Sequence, residues 1–295
     1  MIQTIRKAWG IPELRKKIVF TLLILLIFRL GNAIMVPYIN RDALALQMQV
    51  WGTGLLGLYN VMSGGAFATA TVFALSIQPY INSSIIIQLL TVAIPALERL
   101  ARDGGEEGKK KIQSITRYAT VAIAILQAIG YYFMMKNYNL LEQDGIWVAL
   151  VIIVTLIAGS SFVMWMGEQV TEFGVGNGIS IILFANIISR GSTMVSSLVA
   201  LLKDSSTGKF LTGGKLVLGI VWVLLFLVIA VAVVGLIVWF TNSEERIRIQ
   251  YAKKVVGRKM YGGQTSNLPL KMNMAGVMPI IFASSILSIP STIRL

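Results

Sequence analysis

Residues 216–240 read LVLGIVWVLLFLVIAVAVVGLIVWF, a run without a charge, a proline or an amide side chain. In hydrocarbon every backbone N–H and C=O must bond internally, so such a run has one outlet, a membrane-spanning helix. About 20 residues are enough to cross the ~30 Å core of a bilayer. Apolar runs recur at 18–36, 72–90, 118–135 and 146–166, again from Ile179, and from Met272 to Leu295. Charged residues make up only 13% of the 295, against about 25% in soluble domains. The expected fold is therefore all-α, a polytopic helical membrane protein with seven runs of span character.

Cys and His are both absent, which removes disulfides, thiolate metal sites and imidazole catalysis together. The balance is basic, with 26 Lys and Arg against 13 Asp and Glu. Their placement accounts for it. Five precede the first span, six follow the second and seven follow the sixth, whereas the opposite side carries six. Lys and Arg accumulate on cytoplasmic loops, so the N-terminus and these three segments are expected in the cytoplasm. No A-x-A-like cleavage site follows the first apolar run, so no cleavable signal peptide is expected.

Two connections are unlike ordinary linkers. Residues 52–71, GTGLLGLYNVMSGGAFATAT, are apolar yet rich in glycine, which weakens a long helix and predicts a short, loosely held one. Residues 241–271 are long and basic, and RIRIQYAKKVV alternates like a hairpin strand, with GG or SN to turn it.

The run VFALSIQPYINSSIIIQLL, residues 72–90, carries Ser76, Gln78, Asn82, Ser83, Ser84 and Gln88 at membrane depth, with Pro79 among them. Hydrocarbon bonds none of these groups, so protein or water must face them. Pro79 predicts an interrupted or kinked helix. Ile77 and Ile81 share one helical face, and Gln78 with Asn82 forms the adjacent stripe. From spacing alone two readings stay open, a buried bundle helix bonded to its neighbours and the lining of an aqueous path. GVGNGISIILFANIIS repeats the arrangement, with Ile179 and Leu183 one turn apart and Asn186 farther along. Its glycines follow no strand, so a phosphate-binding loop is not expected. Arg29 is the one charge deep within a predicted span; Glu168 and Glu172 fall at the end of the fourth and Arg294 at the end of the seventh. A proton-coupled transporter calls for Asp, Glu or His at mid-depth, an ATP-driven one for a Walker motif, and an intramembrane enzyme for a nucleophile beside a base. None is present, and no enzyme activity, metal or cofactor is expected.

SIQPYINSSIIIQLL, MWMGEQVTEFGVGNGISIILFANII and LPLKMNMAGVMPIIFASSILSIPSTI, with FRLGNAI and NVMSGGAF, closely resemble the bacterial SecY family of translocase channel subunits. The resemblance runs along essentially the whole chain. It implies an inverted-repeat channel of ten spans. Residues 1–210 would be the first five-span half, with a plug at about 52–71, and 211–295 would hold spans six and seven with the basic loop 241–271. Spans eight to ten and the loop before span nine fall outside these residues. It further implies a pore ring of Ile77, Ile81, Ile179, Leu183 and Ile281, and a lateral gate flanked by Gln88 and Asn273. The plug would include Leu55, Leu56, Tyr59, Asn60, Met62, Ser63, Gly64 and Gly65, its weak packing suited to a part that moves. Docking surfaces for a SecA motor or a ribosome would use Arg246, Arg248, Lys253, Lys254, Arg258 and Lys259. SecE and SecG would be partner subunits, signal sequences and unfolded polypeptides the substrates, and the bacterial cytoplasmic membrane the location. Phe173, where the family commonly has a basic residue, and Met35, where it has a proline, depart from its pattern.

Overall fold

A computed structural model describes residues 9–51, 55–200, 202, 214–250, 254–256, 259–261 and 265–271. It forms two compact units, one holding the described residues up to Ser192 and the other those from Thr193 onward. The fold is mainly helical, as expected, with a β ribbon in the second unit.

Helix α1, Pro12–Gly31, starts at a proline whose missing N–H costs nothing in a first turn. It ends earlier than the predicted span. Pro37 disfavours helix before it, and residues 33–36 instead run beside 70–72, with Val36 N–H donating to Ala70 O (2.9 Å) and Val72 N–H to Ile34 O (2.9 Å). Arg29, expected near mid-span, therefore lies in the exposed last turn of α1, where a cation suits the helix dipole. Two short helices follow, α2, Arg41–Trp51, and α3, Leu55–Met62.

The predicted span over 72–90 is interrupted, one of the two outcomes expected of Pro79, and is not kinked. Residues 72–77 are turns, and α4, Gln78–Ala93, begins at Pro79, again in a first turn. Ile94, extended ahead of Pro95, ends it, and the chain bends by 101° into α5, Pro95–Arg102. Both prolines start helices and break none. Helices α6, Gly105–Asn137, and α7, Ile146–Phe173, are the long spans of the first unit. Helix α8, Gly178–Ser189, is capped by Asn177, whose side chain accepts from Ile179 N–H (3.0 Å) and Ser180 N–H (3.2 Å). Helix α9, Gly191–Ala200, continues it.

In the first unit α4 packs on α6, α6 on α7, α7 on both α1 and α8, and α3 on α8. Phe67, Leu75, Tyr131, Met135, Ile152 and Leu156 lie in its core. In the second unit α10, Gly214–Thr241, carries the sixth predicted span. Beyond it β1, Glu244–Gln250, pairs antiparallel with β4, Thr265–Lys271, and β2, Lys254–Val256, with β3, Lys259–Tyr261. The strand character of RIRIQ is thus present, but Ser266 and Asn267 stand in the ladder opposite Ile249 and Arg248 and make no turn.

Among the described residues four helical stretches are long and apolar enough to cross a membrane: α6, α7, Gly178–Ala200 and Val217–Thr241; the bent α4–α5 pair would be a fifth. Arg15, Lys16, Lys17 and Arg29 keep α1 out of that set. The seventh predicted run lies outside the described residues.

Candidate functional site

Segment 72–77 is wedged between two helices. The ring of Phe73 stacks on Phe28 of α1 (centroids 5.5 Å apart) and on Phe162 of α7 (6.1 Å), and Phe162 stacks on Trp165 (5.6 Å). Phe73 fills the space in which a side chain at Gly31 would stand, and the carbonyl of Val72 fills that beside Gly159. Larger residues at either glycine would displace the segment. Ile77, 1% exposed, closes it, and Ile81, also buried, follows one turn into α4.

Ile179 and Leu183 occupy the equivalent first turns of α8, both partly buried. Ile77 and Ile179 converge on α7 at Gly167, where an added methyl would lie 3.4 Å from each. Ile182, which the sequence did not single out, is fully buried and would lie 3.6 Å from the same point. Two helix starts thus bring Ile77 and Ile179 against the same point of α7, and Ile81 and Leu183 follow each of them one turn on along a shared helical face. Ile281 lies outside the described residues.

Three of the polar groups of 72–90 that were unsatisfiable in lipid find protein partners. Ser76 Oγ accepts from Asn186 Nδ2 (3.1 Å), Gln78 Nε2 donates to Met62 Sδ (2.9 Å), and Ser83 and Thr120 hydroxyls bond across α4 and α6.

Asn186, 1% exposed, also donates from Nδ2 to the carbonyl of Met62 (3.0 Å), and Ser189 Oγ donates to Gly64 O (3.5 Å). The predicted plug therefore sits against α8. Within it, Leu56, Tyr59, Asn60, Met62, Gly64 and Gly65 are partly buried and Ser63 is buried; the side chain of Leu55 lies outside the described set. Loose packing over the whole segment is not what is found. Ala68 N–H donates to Asn60 Oδ1 (3.2 Å) and Phe67 N–H to Ser63 Oγ (3.1 Å). Phe67 meets the Tyr131 ring edge-on (5.1 Å), and Tyr131 OH donates to its carbonyl (3.1 Å). Helix α3 is lightly held, whereas Phe67 and Ala70 beyond it belong to the core.

Gln88 is exposed on α4, while Asn273 lies outside the described residues, as do Lys253 and Arg258. Arg246 and Arg248 are exposed and share one face of β1, opposite Pro269 and Asn267, with Ile247 and Ile249 on the other. Lys254 and Lys259 lie in β2 and β3. Glu168, which seemed only a span end, accepts from Arg117 Nε (2.9 Å) and Gln113 Nε2 (3.2 Å), joining α7 to α6. Sequence gave no signal for that pairing across helices. Phe173 meets Phe20 of α1 edge-on (6.1 Å), so an apolar contact stands at that position. Met35 bridges Thr71.

The backbone arrangement is similar to that of solved channel structures. A solved structure described as "The structure of a protein conducting channel" superposes with TM-score 0.58 at 15% identity, covering 94% of this chain and 57% of that one. Canine Sec61 from a ribosome–channel complex of the endoplasmic reticulum gives 0.58 at 14%, covering 94% and 58%. In sequence, a family model described as SecY matches residues 71–295. Protein translocase subunit SecY of Streptomyces scabiei is 40% identical over 99% of this chain and 67% of its own length. That of Aquifex aeolicus is 38% identical with the same coverage, and that of Pseudomonas aeruginosa 41% over 96% and 62%. The chain belongs to the SecY family of membrane translocase subunits, and spans about two thirds of the length of these relatives.

Proposed function

We propose that the chain is the channel subunit of a bacterial protein translocase. It passes unfolded secretory polypeptides across the cytoplasmic membrane and releases signal and transmembrane helices sideways, between spans two and seven. The observation that carries this is the convergence of Ile77 and Ile179 at the starts of α4 and α8, beside a short helix bonded to both elements. Branched alkyl side chains offer water and ions no hydrogen bond, so a narrow aliphatic neck resists wetting. The same side chains are compliant and carry no charge pattern, which suits a passage for any sequence. Helix α3 and its turns act as the plug on the external side.

The pore itself is passive and catalyses nothing; a SecA-type motor or a ribosome supplies the work. Arg246, Arg248, Lys253, Lys254, Arg258 and Lys259 form the cytoplasmic docking surface, with the N-terminus on the same side. Gln88 and Asn273 oppose each other across the lateral gate, and SecE and SecG are the partner subunits. Ile81→Asn tests the central role. In the reconstituted complex it is expected to raise the resting ion conductance, because an amide in the neck lets water in. Unchanged conductance of the closed complex refutes the role.

A further inference from the structure

Asn186 is an amide on an otherwise mostly apolar stretch, ISIILFANII. It lies two turns beyond Ile179, so it shares the face of α8 that carries the constriction. Its single Nδ2 group bonds the carbonyl of Met62, the last residue of the plug helix (3.0 Å), and the hydroxyl of Ser76 (3.1 Å). Among the described residues its buried Oδ1 has no hydrogen-bond partner, a cost that calls for an explanation beyond packing.

Two residues beside Asn186 have left-handed backbone. Ser76 has φ +49°, in the left-handed region that residues with a Cβ seldom adopt, directly ahead of Ile77. Gly64 has φ +67°, and a side chain there would come 2.9 Å from both Asn186 Oδ1 and Ser189 Oγ. One amide thus touches the end of the plug, the plug's turn and the strained residue that sets the constriction.

We propose that Asn186 is the positioning residue that sets how firmly the plug is seated, coupling plug departure to the backbone at Ser76. When α3 leaves, one N–H of Asn186 loses its acceptor, and the hold on Ser76 becomes its only remaining bond in this junction. The proposal rests on the channel reading above, and the experiment separates the two.

The assembled complex, in which these 295 residues carry no native Cys, receives a single cysteine in the form Ala66→Cys, a buried position of the plug turn. Its labelling by a membrane-impermeant maleimide from the external side is measured together with resting ion current. Asn186→Leu keeps the volume and removes the donor. It is expected to accelerate labelling by roughly fivefold, the factor for one lost hydrogen bond, and to raise resting current, with the thermal melting of the complex unchanged. If Asn186→Leu does not assemble, Ser76→Ala decides, since it removes only one acceptor; labelling at least twofold faster is expected, on the scale of a weak hydrogen bond. Labelling and current equal to the parent in these variants, while Ile81→Asn leaks, overturn the proposal and leave the channel reading intact. No added current in any of them, Ile81→Asn included, overturns both.

Discussion

Two segments lie side by side at the site and are held in opposite ways. Residues 72–77 are fixed by backbone and rings, with the Val72 carbonyl against Gly159 and Phe73 between Phe28 and Phe162. Helix α3, by contrast, meets α8 and α4 through a few side-chain hydrogen bonds, from Asn186, Ser189 and Gln78. Close packing has no half-broken state, whereas a hydrogen bond is worth only about 1 kcal/mol net and re-forms readily. In the proposed channel the frame of the constriction is thus built to stay and its cover to come and go.

The comparison breaks most visibly at the frame. Gly159→Val sets a branched side chain against a backbone carbonyl that cannot rotate away. Overpacking of this kind costs about 1–3 kcal/mol or more. The expected outcome is loss of most assembled complex, read as protease-resistant protein in membranes. Normal amounts would show that the frame is not fixed there.

Phe73→Ala comes next. It removes a ring that is 4% exposed and stacked on two neighbours, and such truncations cost about 3–5 kcal/mol in soluble cores. The cavity leaves the backbone path open to repair, so a complex that assembles but melts well below the parent is expected in a thermal scan.

Gly64→Ala sharpens the other side. Its cost is local, about 1 kcal/mol for φ > 0 plus the close approach to Asn186. Unchanged melting with increased resting ion leak is expected, because only the cover is disturbed. A lowered melting temperature without a leak would place Gly64 in the frame.

The smallest effect is assigned to Arg117→Gln. Its partner Glu168 is mostly buried but Arg117 is half exposed, with side chains 11% and 47% accessible, and pairs of this kind contribute about 1 kcal/mol or less. A slight loss of stability at low salt, vanishing at high salt, is expected from melting at two ionic strengths.

Much of this was legible in sequence because it is local. The charge-free run at 216–240 admits only a spanning helix, and α6, α7 and α8 begin or end near where composition changes. The aliphatic pairs Ile77 with Ile81 and Ile179 with Leu183 follow from helical spacing. What was missed depends on residues far apart in the chain. Pro79 reads as a kink or an interruption, and only the turns at 72–77 show that it stands in the first turn of a helix. The Gly-rich segment reads as loose until Tyr131, 64 positions away, takes hold of Phe67. Asn186 reads as one more polar group in a span, since neither Met62 nor Ser76 is near it in sequence. Spacing within one element marks which residues share a face; only packing tells what that face meets.

The most direct test uses the absence of native cysteine. One cysteine is placed at Ile81, or as a control at Leu126, which is 67% exposed on α6, and a secretory chain bearing another is stalled in the complex and oxidised. A disulfide adduct from position 81 and none from position 126 is predicted. No adduct at 81, or equal adducts at both, would contradict a polypeptide path through the aliphatic constriction.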